Sequence, residues 1–361
     1  MLSRKVGSNL KTLSILLMVI TTMTTAAFAG VNEDIVEAAK SGDLIKIKGL
    51  IDGGANVNSR NSSGGTPLME ASGSGSIEVV KLLLSKKVDV NARNDHGYTA
   101  LIDASMTSHK QVVELLLAKG AKINIRENHY GNTALMFASI QGHRDVVELL
   151  LAKGANINDK NNSNETALIL ACKMYPQDDV VELLLAKGAN VNDKDNDGYT
   201  SLMWACLNHH LRVVRLLVSK GADINARDNN NMGGVTALML SSSGGHQENN
   251  DIVELLLAKG ANVNDKSYLG VTALMMASGT QRKDIVLLLL AKGANVNDRS
   301  DLGSTALMWA AVNGRKDIVE LLLAKGANVN ARDYSDETAL MQASRKGYED
   351  VAGVLCQHGA H

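Results

Sequence analysis

The decapeptide VVELLLAKGA begins at Val112, Val146 and Val180, and near-copies begin at Ile252, Ile285 and Ile318. Upstream of each lies a threonine followed by a small residue, leucine and another apolar residue. These threonines are Thr66, Thr99, Thr133, Thr166, Thr200, Thr236, Thr272, Thr305 and Thr338, spaced by 33, 34, 33, 34, 36, 36, 33 and 33 residues. A period of about 33 residues held over nine copies excludes an ordinary globular core, because each unit must bury its apolar face against its neighbours. Only 3% of the chain is aromatic, so Leu, Val, Ile, Met and Ala must do that packing.

The unit from Asp301 to Asp333 shows the local chemistry. Thr305 is suited to cap a helix, since its hydroxyl can accept from an unpaired first-turn amide, and Ala306 to Val312 is read as a short apolar helix. Asn313-Gly314 breaks it. Asp317 opens a second helix, Ile318 to Lys325, where the macrodipole favours an acid, and Gly326 supplies a left-handed stop. The polar ANVNARD that follows suits a tight turn. The unit is helix, turn, helix and a hairpin-like projecting loop.

Gly64-Gly65-Thr66-Pro67-Leu68-Met69 and Gly303-Ser304-Thr305-Ala306-Leu307-Met308 resemble the G-x-T-P-L-H-x-A-A pattern of the ankyrin-repeat family, and the similarity covers the whole chain after its first residues. The resemblance implies an all-α ankyrin-repeat solenoid of about ten stacked repeats. Residues 31–60 read as an N-terminal capping repeat, with Lys46 and Gly49 at positions that are apolar elsewhere. Residues 61–337 hold eight interior repeats, and 338–361, with Ala352, Gly353 and Cys356, form a C-terminal cap. Two departures recur. Proline remains only at Pro67, and the family's histidine is replaced by methionine at Met69, Met136, Met203, Met239, Met275, Met308 and Met341, and by isoleucine at Ile102 and Ile169. In the family that histidine joins hydrogen bonds between repeats; here thioether packing is expected to fill its volume. A soft-metal ladder of these methionines is the disfavoured reading.

Residues 1–29 read as a cleaved secretory signal: Arg4, Lys5 and Lys11, an apolar run from Leu13 to Ile20, then Ala27-Phe28-Ala29. An uncleaved anchor is the runner-up, but the threonine-rich Thr21 to Thr25 shortens the run below the ~20 residues a spanning helix needs. The mature domain is then 30–361, exported to the periplasm or secreted. The signal takes three of the 37 basic residues and none of the 38 acidic ones, leaving a net charge of −4. Such a chain has no electrostatic footprint for nucleic acid or anionic lipid. No membrane span after cleavage and a monomeric state are expected.

Candidate chemistry is sparse. Asp193, Asp195 and Asp197 followed by Gly198 open like an EF-hand loop, but the twelfth position, where a bidentate Glu belongs, is Trp204. Cys172 and Cys206 occupy equivalent positions in adjacent repeats. Stacked helices lie about 8 to 10 Å apart while a disulfide needs Cα atoms within roughly 7 Å, so both read as small buried residues. His209-His210 lies at a turn, as do His143 and His246, and no H-E-x-x-H occurs. No catalytic residue, metal ligand or cofactor is assigned, and an enzyme or calcium-regulated protein is the low-ranked alternative.

What remains is surface, and the resemblance implies protein binding through loop tips and the concave helix face. The loops before each threonine vary and carry Tyr98, Tyr130, Tyr199, Tyr268 and Tyr334, residues suited to anchor an interface. First-helix ends add Ile140, Gln141, Lys173, Met174, Leu207 and Asn208. Insertions at Asn229 to Gly233 and Gly244 to Asn250 fit either loop drift or a binding groove on repeats four to six. Phe137, Trp204 and Trp309, equivalent on the first helix, are read as core packing between repeats. The expected function is a non-catalytic interaction scaffold; a secreted host-directed effector is the alternative.

Overall fold

The computed structural model describes residues 32–174, 177–229 and 233–361. The signal reading for residues 1–29 and the centre of the Asn229 to Gly233 insertion lie outside the described residues. Among the described residues the chain is all-helical, with two isolated bridges, Lys194 with Thr200 and Arg332 with Thr338. It divides into two compact units, up to Asn156 and from Ile157 onward.

The first unit contains four helix pairs. They are 32–41 with Leu44–Asp52, Pro67–Gly73 with Ile77–Leu84, Ala100–Met106 with Lys110–Ala118, and Ala134–Ile140 with Arg144–Ala152. Six pairs make up the second. They are Ala167–Lys173 with Asp178–Ala186, Ser201–Leu207 with Leu211–Ser219, Ala237–Ser243 with Glu248–Ala258, Ala273–Ser278 with Lys283–Ala291, Ala306–Val312 with Lys316–Ala324, and Ala339–Arg345 with Glu349–Gln357. Within each unit neighbouring first helices pack on one another, as do neighbouring second helices.

The threonine reading holds at every copy. Each of the nine has extended backbone geometry, and its Oγ1 accepts the amide of the residue three further on, at 3.3 to 3.4 Å. A helix of about seven residues is too short to persist alone, so the cap and the packed face hold it jointly. In the Thr305 unit the first helix is Ala306–Val312 as expected, and Gly326 follows the second helix with φ +84°. That left-handed position has open space around a would-be Cβ, so glycine is required there by backbone geometry rather than by crowding.

Core positions repeat with the period. Ala306, Leu307, Met308, Ala310 and Ala311 of one first helix, with Ile318, Val319 and Leu322 of its partner, are all at most 1% exposed. The methionines behave as thioether filler at most copies: Met203, Met239, Met275 and Met308 are each 1% exposed, whereas Met341, expected to pack likewise, is 43% exposed. Cys172 and Cys206 are buried free thiols, and burial pushes each up to about 12, which keeps them protonated and inert.

With the family histidine gone, the polar link between neighbours is made elsewhere, by the second asparagine of each NVN or equivalent turn. In the second unit Asn264 Nδ2 donates to Gly293 O at 3.1 Å while its Oδ1 accepts from Asn295 N at 2.9 Å. Asn297 repeats this with Gly326 O at 3.0 Å and Asn328 N at 2.8 Å. In the first unit Asn58 binds Lys87 O and Asp89 N, both at 2.9 Å. One planar amide thus satisfies a donor and an acceptor of the next turn.

Candidate functional site

Each loop is closed by a side chain placed before the threonine. Asn61, Asn94, Asn161, Asp195 and Asp333 lie five residues before it, and each accepts backbone amides two and four residues on, at 2.8 to 3.1 Å. This is the local Asx-type turn that such side chains favour. The loop before Thr133 has one residue more, and a longer side chain does the work: Glu127 accepts from the amides of His129, Tyr130 and Asn132 at 2.6, 2.7 and 3.0 Å.

The aspartate run is therefore turn architecture. Asp195 is 7% exposed; its Oδ1 accepts from the Asp197 and Tyr199 amides, and its Oδ2 from Trp204 Nε1 at 2.9 Å. Asp193 pairs with Lys160 at 2.9 Å. Among the described residues no group of three or more His, Cys, Asp or Glu is gathered to hold a metal ion.

Trp204 departs from the core reading. It is only half-buried, on the exposed side of the Ser201–Leu207 helix, with Lys173 Nζ 4.6 Å above its ring and the Tyr199 ring 5.0 Å from it. Lys173 is held there by Glu165 at 2.6 Å, and Asn208 donates to the carbonyls of Cys172 and Lys173 at 3.0 and 2.9 Å. Leu207 and Met174 border this platform, 38% and 46% exposed. Trp309 is likewise half-buried, while Phe137, at 9%, fits the core reading. At this one equivalent position Phe137 is covered, whereas Trp204 and Trp309 are only partly so.

The tyrosines separate into two classes by their distance from the cap. Tyr98 and Tyr199, immediately before Thr99 and Thr200, are half-buried rather than projecting. Tyr98 lies 5.6 Å from the Phe137 ring, as Tyr199 lies against Trp204, and burial foremost raises both phenols. Tyr130, three residues before its threonine, and Tyr268 and Tyr334, four before, are 65%, 55% and 75% exposed. The chain enters the helix at the cap, so the preceding side chain falls on the helix; only residues further back reach the tip. Ile140 is half-buried and Gln141 exposed, at the end of the last first helix of the first unit.

The family profile described as ankyrin repeats (3 copies) matches residues 35–127, 158–228, 227–300 and 295–361, and that of ankyrin repeats (many copies) matches 116–171. The chain belongs to the ankyrin-repeat family. This ankyrin-repeat chain is also similar to the crystal structure of the human ASB11 ankyrin repeat domain, at 30% identity and TM-score 0.56, covering 63% of this chain and 98% of that one. No curated protein matches it. Ankyrin repeats are generally protein–protein interaction modules. Among the described residues no helix is long and apolar enough to cross a membrane.

Two features of this ankyrin-repeat chain escaped the sequence reading. The asparagine ladder was visible as an Asn recurring on the same period, and Leu302, 73% exposed at a loop tip, as an apolar residue where turn formers belong.

Proposed function

We propose that this chain is a non-catalytic protein-binding scaffold, exported by its first 29 residues to the cell envelope or beyond and acting as a monomer. The observation that carries the reading is the division between buried and exposed positions. The apolar positions repeated from unit to unit, such as Val112, Val146, Val180, Ile252, Ile285 and Ile318, are buried, whereas large side chains at positions that vary, among them Tyr130, Gln141, Met174, Leu207, Tyr268 and Tyr334, are exposed. Exposed aromatic and large apolar side chains on rigid, capped loops lose little entropy on binding and make good anchors.

The binding surface within each unit is the loop tips and the exposed side of the first helices. In the first unit it includes Tyr130 and Gln141; in the second, the Trp204–Lys173 platform with Leu207 and Met174, and the tips at Tyr268 and Tyr334. Affinity purification with residues 30–361 from a native envelope fraction tests this. A protein partner is expected, whose affinity falls at least tenfold when Leu207 and Met174 are changed to Ser; a partner indifferent to those and to all three tip tyrosines would refute the surface. Fusion of residues 1–29 to a reporter active only after export tests the location, and a reporter retained inside would refute it.

A further inference from the structure

We infer that three consecutive loop tips, Tyr268-Leu269, Asp301-Leu302 and Tyr334-Ser335, form a docking ridge for a protein segment that carries a basic side chain between apolar ones. The inference rests on the protein-binding reading above and names the partner chemistry that reading leaves open. Asp301 N donates to Leu269 O at 2.9 Å and Tyr334 N donates to Leu302 O at 3.0 Å, so equivalent positions of successive tips stand side by side. One row is then Tyr268, Asp301, Tyr334, and the other Leu269, Leu302, Ser335.

Leu302 is 73% exposed, Leu269 43%, Tyr268 55% and Tyr334 75%. Leucine supplies none of the turn chemistry a tip needs, and the equivalent tips at Asn162-Ser163 and Asn196-Asp197 carry ordinary turn formers. An exposed apolar cluster of this kind on otherwise polar loops marks an interaction site. Tyr268 is held in place: its hydroxyl donates to Asp228 O at 3.4 Å and its ring lies where a Cβ on Gly234 would clash, at 2.7 Å.

Charge selects the occupant. Asp301 is exposed and, among the described residues, its carboxylate makes no ion pair or hydrogen bond. Of the two neighbouring arginines, only Arg332 has an acidic partner among the described residues. Arg299 stacks on the Tyr334 ring at 5.6 Å and donates to Arg332 O at 2.6 Å, and Arg332 pairs with Asp336 at 2.7 Å. The ridge therefore offers one free carboxylate framed by two tyrosines and two leucines. A lysine or arginine head would meet the carboxylate while its alkyl stem lies on leucine.

The test uses the full chain and three fluorescent peptides of equal length, rich in leucine and lysine, leucine and glutamate, or serine and lysine, read by anisotropy. The leucine–lysine peptide should bind at least tenfold more tightly than the other two. Asp301→Lys should shift the preference to leucine–glutamate, and Leu302→Ser should weaken leucine–lysine binding at least fivefold, with unchanged tryptophan emission showing that both variants fold. Equal binding of serine–lysine and leucine–lysine, or a preference that Asp301→Lys leaves unaltered, would overturn the ridge. If that happens while a purified native partner still binds and depends on Leu207 and Met174, the ridge falls and the protein-binding reading stands.

Discussion

Trp204 donates its indole Nε1 proton to Asp195 Oδ2 at 2.9 Å, which ties the first helix of its repeat back to the loop that precedes it. The other carboxylate oxygen closes the loop itself by accepting from the Asp197 and Tyr199 amides. Removing this carboxylate strands three donors, so Asp195→Ala should cost about 2–4 kcal/mol of unfolding free energy in urea titrations, hydrogen bonds to a charged group being the stronger kind. Calcium should leave the melting temperature of both proteins unchanged. A calcium affinity abolished by Asp195→Ala in calorimetry would reinstate the ion-binding loop.

The asparagine ladder can be separated from simple turn propensity. Asn297→Ala removes the bonds to Gly326 O and Asn328 N and should destabilise by about 1–2 kcal/mol. Asn297→Asp keeps the acceptor but turns a carboxylate toward the Gly326 carbonyl, so it should lose a comparable amount at neutral pH and recover part of it in acid. Equal stability of wild type and both variants would remove the ladder as an inter-repeat link.

Methionine burial makes a paired comparison. Met308 is 1% exposed and Met341 is 43% exposed at the same position of the next repeat. Met308→Ala should cost about 2–4 kcal/mol through lost burial and the cavity left behind, and Met341→Ala less than about 1 kcal/mol. Equal losses in denaturant titration would mean that the stripe is not core filler.

Asp103, on the Ala100–Met106 helix, has its carboxyl pushed up to about 7 by burial and then by the nearby Glu70 carboxylate. Its folded value lies above the unfolded one, so the folded state holds the extra proton between about pH 4 and 7. Stability should fall as pH rises through that window, by on the order of 2 kcal/mol after allowance for solvent screening. Asp103→Asn, which mimics the protonated form, should flatten this dependence and raise the melting temperature at pH 8. An unchanged pH profile in the variant would assign the dependence to other groups.

Much of this molecule was legible because its determinants are local and repeated. A threonine before an apolar run caps a helix wherever it stands, and nine copies on one period leave little choice of fold. Trp204, expected in the core, is half-buried, and Tyr98 and Tyr199, expected to be exposed, are half-buried too, because each side chain's surroundings come from residues outside its own local pattern. Trp204 looked like core because it is large and apolar; it lies half-exposed, with Lys173 and Tyr199 against its ring and Asp195, nine residues earlier, accepting its N–H.

By itself the sequence determined the repeat, the helices and their caps, since these follow from periodicity and from hydrogen bonds spanning three or four residues. The tertiary structure decided which tyrosines face outward, that asparagine amides join neighbouring turns, and that Asp301 stands free among Tyr268, Leu269, Leu302 and Tyr334. Those outcomes depend on how a loop lies over its own helix and against the next loop, about 33 residues away in the chain. No local pattern encodes that distance.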